Sequence, residues 1–163
     1  MRRTAITLLI TLAVLLGSAG MSWSADYQKG LDAYTKKDYA TALREWKPLA
    51  EQGNARAQHN LGQMYRRGDG VPQDDKTAVK WYRLAAEQGL ARAQYNLGQM
   101  YAFGTGVLKD YVYAHMWGNI AATNGNKMGA KLRDFVEKKM TPADISTAQK
   151  LARECVRKKY KGC

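Results

Sequence analysis

AEQGNARAQHNLGQMYRRGDGV, residues 50–71, returns 36 residues later as AEQGLARAQYNLGQMYAFGTGV, residues 86–107. Over the wider alignment of Ala40–Asp75 with Lys76–Tyr111, 20 of 36 positions are identical. In the first copy Ala42, Leu43, Trp46, Leu49 and Ala50 fall at i, i+1, i+4, i+7 and i+8, the apolar stripe of one helix. Gly53 ends it, because glycine takes the left-handed backbone of a helix C-terminus without steric penalty. Ala57, Leu61, Met64 and Tyr65 make a second stripe, with Ala57 and Gly62 small enough for neighbouring helices to approach closely. Gly68-x-Gly70 stops that helix, and a loop carrying Pro72 and Asp74 leads to the next copy. Neither stripe can be buried by its own unit, so the units must stack into a solenoid. A third copy starts in register, with Ala114, Trp117, Ala121, Ala122 and Gly125 at the places of Ala78, Trp81, Ala85, Ala86 and Gly89. It then drifts, as a terminal unit with no neighbour on its outer side does.

These residues resemble the Sel1-like repeat family, relatives of the tetratricopeptide repeat. Its pattern of paired alanines, Leu-Gly-x-x-Tyr, Gly-x-Gly and a following Ala-x-x-Trp/Tyr-x-x-x-Ala-Ala is met by Ala55, Ala57, Leu61, Gly62, Tyr65, Gly68, Gly70, Ala78, Tyr82, Ala85 and Ala86. It is met again by Ala91, Ala93, Leu97, Gly98, Tyr101, Gly104, Gly106, Ala114, Trp117, Ala121 and Ala122. The resemblance implies an all-α fold: a right-handed α-solenoid of antiparallel helix pairs, about eight helices, with a capping helix at each end. The expected division is a leader over 1–24, an N-terminal capping helix over 25–37, repeats over 38–73 and 74–109, a degenerate third repeat over 110–140, and a C-terminal capping helix with its tail over 141–163. Thr141-Pro142-Ala143-Asp144 marks the start of that last helix, with Thr141 as N-cap and proline at the first helical position.

The leader is read from Arg2 and Arg3, the apolar run Ala5–Leu16, and the small residues before Ser24. That is the layout of a secretory signal peptide, with cleavage expected after Ser24. The run is shorter than the roughly 18 apolar residues of a transmembrane anchor. Export to the periplasm or the exterior makes a disulfide the expected state of the two cysteines. Cys155 and Cys163 would stand about 12 Å apart on a continuous helix, beyond the roughly 4.4–6.8 Å of a bridge. The last helix must therefore stop near Lys159-Tyr160 and the tail must turn back through Gly162. The ending Leu151–Cys155 and Tyr160–Cys163 also looks like a recurrent one in exported proteins of the resembled group.

Site chemistry is sparse. Beyond the leader Ser146 is the only serine, and Lys150 follows it at four residues, so the Ser-x-x-Lys arrangement of penicillin-recognising enzymes is absent. His59 and His115 lie in different units without a ligand-spaced partner. No catalytic residue, metal or cofactor is expected. The β-lactam-linked branch of the resembled family, which would imply binding or hydrolysis of a cell-wall component, carries cysteine pairs in its repeats, whereas these repeats hold none. The favoured expectation is a non-catalytic, monomeric adaptor that binds a protein or an extended peptide of the cell envelope along its concave face. Solvent-facing positions at which the copies differ are the candidates for partner choice: Glu45, His59, Arg66, Arg67, Trp81, Tyr95 and Phe103. The amides Gln58/Gln94, Asn60/Asn96 and Gln63/Gln99 either line that face or bond across units.

The charge fits this picture unevenly. The chain has 26 Lys+Arg against 14 Asp+Glu, a net +12. Lys127–Cys163 alone holds 11 basic and 4 acidic residues. Contact of that basic end with an anionic envelope surface is a further option, while export argues against a nucleic-acid partner.

Overall fold

The computed structural model describes residues 25–163, and the expected leader lies outside the described residues. Among them there are eight helices and no strand: α1 Tyr27–Thr35, α2 Tyr39–Glu51, α3 Ala55–Arg67, α4 Asp75–Ala86, α5 Ala91–Phe103, α6 Tyr111–Thr123, α7 Lys127–Glu137 and α8 Pro142–Arg157. Seven of these helices open on a side chain that accepts from their first free amides: Asp26, Asp38, Asn54, Asp74, Asp110, Asn126 and Thr141. Each such cap satisfies donors that the helix itself leaves orphaned. At α8 the cap is reciprocal, with Asp144 accepting from the Thr141 amide. The exception is α5, where Leu90 stands at the position of Asn54 and offers no cap. Leu90 packs instead against the core.

The Gly-x-Gly turns do two jobs. Gly68 and Gly104 close α3 and α5 in the left-handed region, at φ 75° and 70°. Two residues on, Gly70 and Gly106 also have positive φ, and a Cβ there would collide with Tyr39 and Asp75, the first residues of α2 and α4. The turn after one helix pair is thus pressed onto the helix that began the preceding loop-to-helix step, and only glycine meets both demands.

Consecutive helices from α1 to α7 pack on one another, α7 also reaches α5, and α8 lies chiefly against α6. The interior falls into two apolar clusters. One joins α1–α3 around Trp46, Leu61 and Met64. The other joins α4–α8 around Tyr82, Leu97, Met100, Trp117 and Ile120. Burying each of these large side chains is worth about 1.5–3 kcal/mol. Trp46 and Tyr82 occupy equivalent positions, and each ring is pressed against a helical glycine, Gly30 and Gly62: a Cβ on Gly62 would come within 2.6 Å of the Tyr82 ring. The next equivalent is Gly118, and the aromatic there is replaced by a close helix crossing. A Cβ on Gly129 of α7 would lie 2.7 Å from the Gly118 carbonyl oxygen.

This register qualifies one expectation. The buried aromatic of α4 is Tyr82, and Trp81, expected to face solvent as a partner contact, is half-buried at the border of the first cluster. Trp117, its counterpart, is fully enclosed, in the cluster that contains Leu132 and Val136 of α7.

At the C-terminus α8 ends at Arg157, and Lys159, Tyr160 and Gly162 all take positive φ. The chain reverses there and brings the Cα atoms of Cys155 and Cys163 to 5.6 Å, joined by a disulfide. The Tyr160 ring rests on Gly89 in the α4–α5 turn, and its hydroxyl donates to Asn124 Oδ1 at 3.1 Å after α6. The tail therefore clasps two inter-helix turns. No helix among the described residues is long and apolar enough to cross a membrane.

Candidate binding groove

The odd-numbered helices line one side of the molecule. Tyr27, Leu31 and Tyr34 of α1, His59, Asn60 and Gln63 of α3, Arg92, Tyr95 and Asn96 of α5, and Asn126 and Met128 at the start of α7 enclose a hollow of 460 Å³. A second hollow of 510 Å³ shares Tyr27, Leu31, His59, Asn60 and Arg92 with it and adds Gln28, Arg56 and Leu90. The positions follow from helix period: the core stripe of α3 runs through Ala57, Leu61 and Met64, so Arg56, Asn60 and Gln63, each one residue earlier, lie on the flank about 100° around the helix.

The floor carries a directional chain of hydrogen bonds across three helices. Asn96 Nδ2 lies 3.1 Å from His59 Nε2, and His59 Nδ1 lies 3.3 Å from Asn60 Oδ1. Asn60 Nδ2 donates to the Tyr27 hydroxyl at 3.2 Å. The amide orientations assign a neutral His59 with its proton on Nδ1, accepting from Asn96 and donating to Asn60. Burial lowers the His59 pKa, the Asn60 bond opposes that shift, and the Arg92 charge adds to it. The imidazole thus stays neutral at pH 7 and acts as a rigid link between α3 and α5. Beneath the Tyr27 end, the Trp46 indole N–H donates to the Tyr27 carbonyl at 3.1 Å, and the Tyr27 and Tyr34 rings flank Trp46 at 6.1 and 5.5 Å.

Only some of the expected partner residues meet in this groove. Tyr95 lines it, and His59 does too, although at 7% exposure it is a buried link and not a solvent-facing position. Glu45 is corrected more strongly. It is 5% exposed, paired with Lys29 Nζ at 2.8 Å, and accepts from the Asp26 amide, so it joins α1 to α2. Arg67 is exposed but donates to the Tyr34 hydroxyl at 3.2 Å, which in turn donates to Asp69 at 2.6 Å. Arg66 and Arg67 belong to the last turn of α3, and neither they nor Trp81 lines the groove. Phe103, 61% exposed, ends α5 and lies 6.2 Å from Phe135 of α7, away from the hollow.

The structure separates the paired amides. Gln58 and Gln94 are buried and donate to the Ala50 and Ala86 carbonyls at 3.0 and 3.1 Å, tying successive helices together. Asn60, Gln63 and Asn96 line the groove. Comparing copies for differences overlooked Arg56 and Arg92, which are identical at equivalent positions, and Tyr27 and Leu31, which precede the aligned repeats. The available signal was helical period alone, applied to the flank beside the core stripe.

Elsewhere, a hollow of 620 Å³ between α6 and α8 has Ile120, Ala152 and Val156 among its lining and Lys150, Arg153 and Arg157 beside them. His115 is buried with Nε2 3.3 Å from Glu137. No group of three or more His, Cys, Asp or Glu converges as a metal site among the described residues.

The family model of the Sel1 repeat matches residues 18–54, 55–90 and 91–126. The repeat length is the one read above, but the units are cut so that α1–α2, α3–α4 and α5–α6 pair. Among solved structures, c5321, a protective antigen present in uropathogenic Escherichia coli strains and displaying an SLR fold, is similar at 33% identity and TM-score 0.76. The match covers 80% of this chain and 30% of the antigen, so the chain spans under a third of that relative. A Sel1 repeat protein from Oxalobacter formigenes is similar at 36% identity and TM-score 0.61, over 66% of this chain and 84% of that one. No curated protein matches the chain.

Proposed function

Because the chain belongs to the Sel1 repeat family, whose members generally serve as protein-interaction scaffolds, we propose that it is a non-catalytic adaptor that binds a protein segment along the groove of α1, α3, α5 and α7. The observation that carries this reading is the groove itself: two adjoining hollows that share Tyr27, Leu31, His59, Asn60 and Arg92, with a polar floor held rigid by the Asn96–His59–Asn60–Tyr27 chain. A pre-ordered floor lowers the entropy cost of binding an extended chain. Its Tyr and Arg side chains are of the types that anchor protein contacts.

The adaptor works outside the cytoplasm in this reading. The Cys155–Cys163 disulfide supports export, since such bonds persist in oxidising compartments. The leader-like residues 1–24 support it from the sequence.

The test is affinity capture from envelope extract with two sets of variants. Arg92→Ala with Tyr95→Ala alters the groove, and Arg66→Ala with Trp81→Ala alters surfaces outside it. Loss of the captured partner with the first set and retention with the second is the expected result. The reverse pattern, or turnover of a β-lactam by the purified protein, overturns the reading.

A further inference from the structure

The groove offers donors and cations with almost no competing acceptor charge. Arg56 and Arg92 occupy equivalent positions 36 residues apart, both are exposed, and neither guanidinium has a hydrogen bond or ion pair among the described residues. No carboxylate is among the residues lining either hollow. The hydrogen-bond chain ends at the Tyr27 hydroxyl, which accepts from Asn60 and whose own proton has no acceptor among the described residues. That proton, polarised by the three links behind it, is available to a ligand oxygen.

From this juxtaposition we propose that the groove takes an extended peptide segment bearing carboxylates, read by Arg56, Arg92 and the Tyr27 hydroxyl. The inference rests on the groove being the binding face and adds the chemistry of its ligand. An isolated anion would use the cations alone. The apolar surfaces of Leu31, Tyr95 and Met128 beside them suit a chain whose successive side chains point in opposite directions, acids toward the guanidiniums and apolar groups toward these three side chains. The Gln63 amide, half-buried in the groove wall and outside the floor chain, supplies a donor and an acceptor for the peptide backbone. Arg is suited to this task because its planar fork matches a carboxylate in two-point contact.

The probes are short fluorescein-labelled peptides in matched versions that carry Asp, Asn or Lys at the same alternate positions, with Leu and Ala between them. Binding is read by fluorescence anisotropy at low and high salt, with thermal melts to verify folding. The Asp peptide is expected to bind wild-type protein about ten-fold more tightly than the Asn peptide at low salt, and the Lys peptide to bind least. Arg56→Gln with Arg92→Gln abolishes that preference, and Tyr27→Phe reduces it. Lys150→Gln with Arg153→Gln, which removes the same net charge from α8, leaves it intact.

The inference is overturned if the preference survives the groove pair or is lost equally in the α8 pair. It is also overturned if dextran sulfate, a polyanion without a peptide backbone, competes as well as the Asp peptide. Equal binding of the Asp and Asn peptides, both weakened by Tyr95→Ala, removes the acidic ligand but leaves the groove reading standing. If no probe binds while the groove variants still abolish capture from envelope extract, the acidic class falls and the adaptor remains.

Discussion

At the scale of single residues, the two copies of the repeat show how one substitution moves a side chain from one task to another. Asn54 accepts from the amides of Arg56 and Ala57, each at 3.0 Å, whereas Leu90 at the equivalent place packs on the core and caps nothing. Asn54→Ala should therefore cost about 1 kcal/mol through its lost cap, measurable as a lower urea midpoint with unchanged slope. Glu45 illustrates a different limit. Its charge and its difference from Trp81 suggest a surface contact, but α1 covers it. Pairing with Lys29 and the Asp26 amide holds its carboxyl below the usual carboxylate range. A carboxylate whose folded pKa is depressed contributes fully above its unfolded value and loses that contribution as pH falls through the folded value. Glu45→Gln is thus expected to be less stable than wild type at pH 7 by about 1–2 kcal/mol. Melting curves taken from pH 7 down to pH 3 should show the gap closing. A gap that stays constant over that range would show that the carboxylate's charge is not what matters.

At the scale of helices, spacing decides which neighbours fit. The Leu-Gly step of each repeat brings Gly62 under the Tyr82 ring, a close approach legible from the small residue in the stripe. The Gly118–Gly129 crossing of α6 and α7 was not legible, because the third copy drifts and the two glycines come together only through packing. Gly129→Ala should push the crossing apart, since the new methyl would meet the backbone of Gly118 and Ala122 as well as the Ala121 side chain. Overpacking of this kind costs about 1–3 kcal/mol, and no flexible side chain is available to absorb it. A urea titration that finds Gly129→Ala as stable as wild type would mean that α6 and α7 are not held this close. The groove follows the same logic of faces. Once Ala57, Leu61 and Met64 point inward, Arg56, Asn60 and Gln63, each one residue earlier, are turned about 100° off the stripe onto the flank that faces the groove.

At the scale of the whole molecule, the disulfide-closed tail clasps the array's end, laying Tyr160 over the α4–α5 turn and bonding it to Asn124. Closing so short a loop is worth about 2–3 kcal/mol in the chain-entropy model. Reduction, or paired Cys155→Ala and Cys163→Ala, should lower the melting temperature by roughly 5–10 °C and raise amide exchange first at the turns around Gly89 and Asn124. Faster exchange confined to α1 and α2 would contradict the clasp. Legible in the sequence were the helical solenoid, its 36-residue period, the glycine turns, the Thr141 cap of the last helix, and the need for the chain to reverse between Cys155 and Cys163. These features are local or periodic, set by propensity, glycine conformations and stripes that repeat along the chain. Only the tertiary structure decided that Tyr82 and not Trp81 fills the core, that Glu45 is covered, and that His59 joins two amides into one floor with Arg56 and Arg92 above it. Those outcomes depend on the rotation of one helix against the next, and one residue of register is enough to carry a side chain from the solvent to the interior.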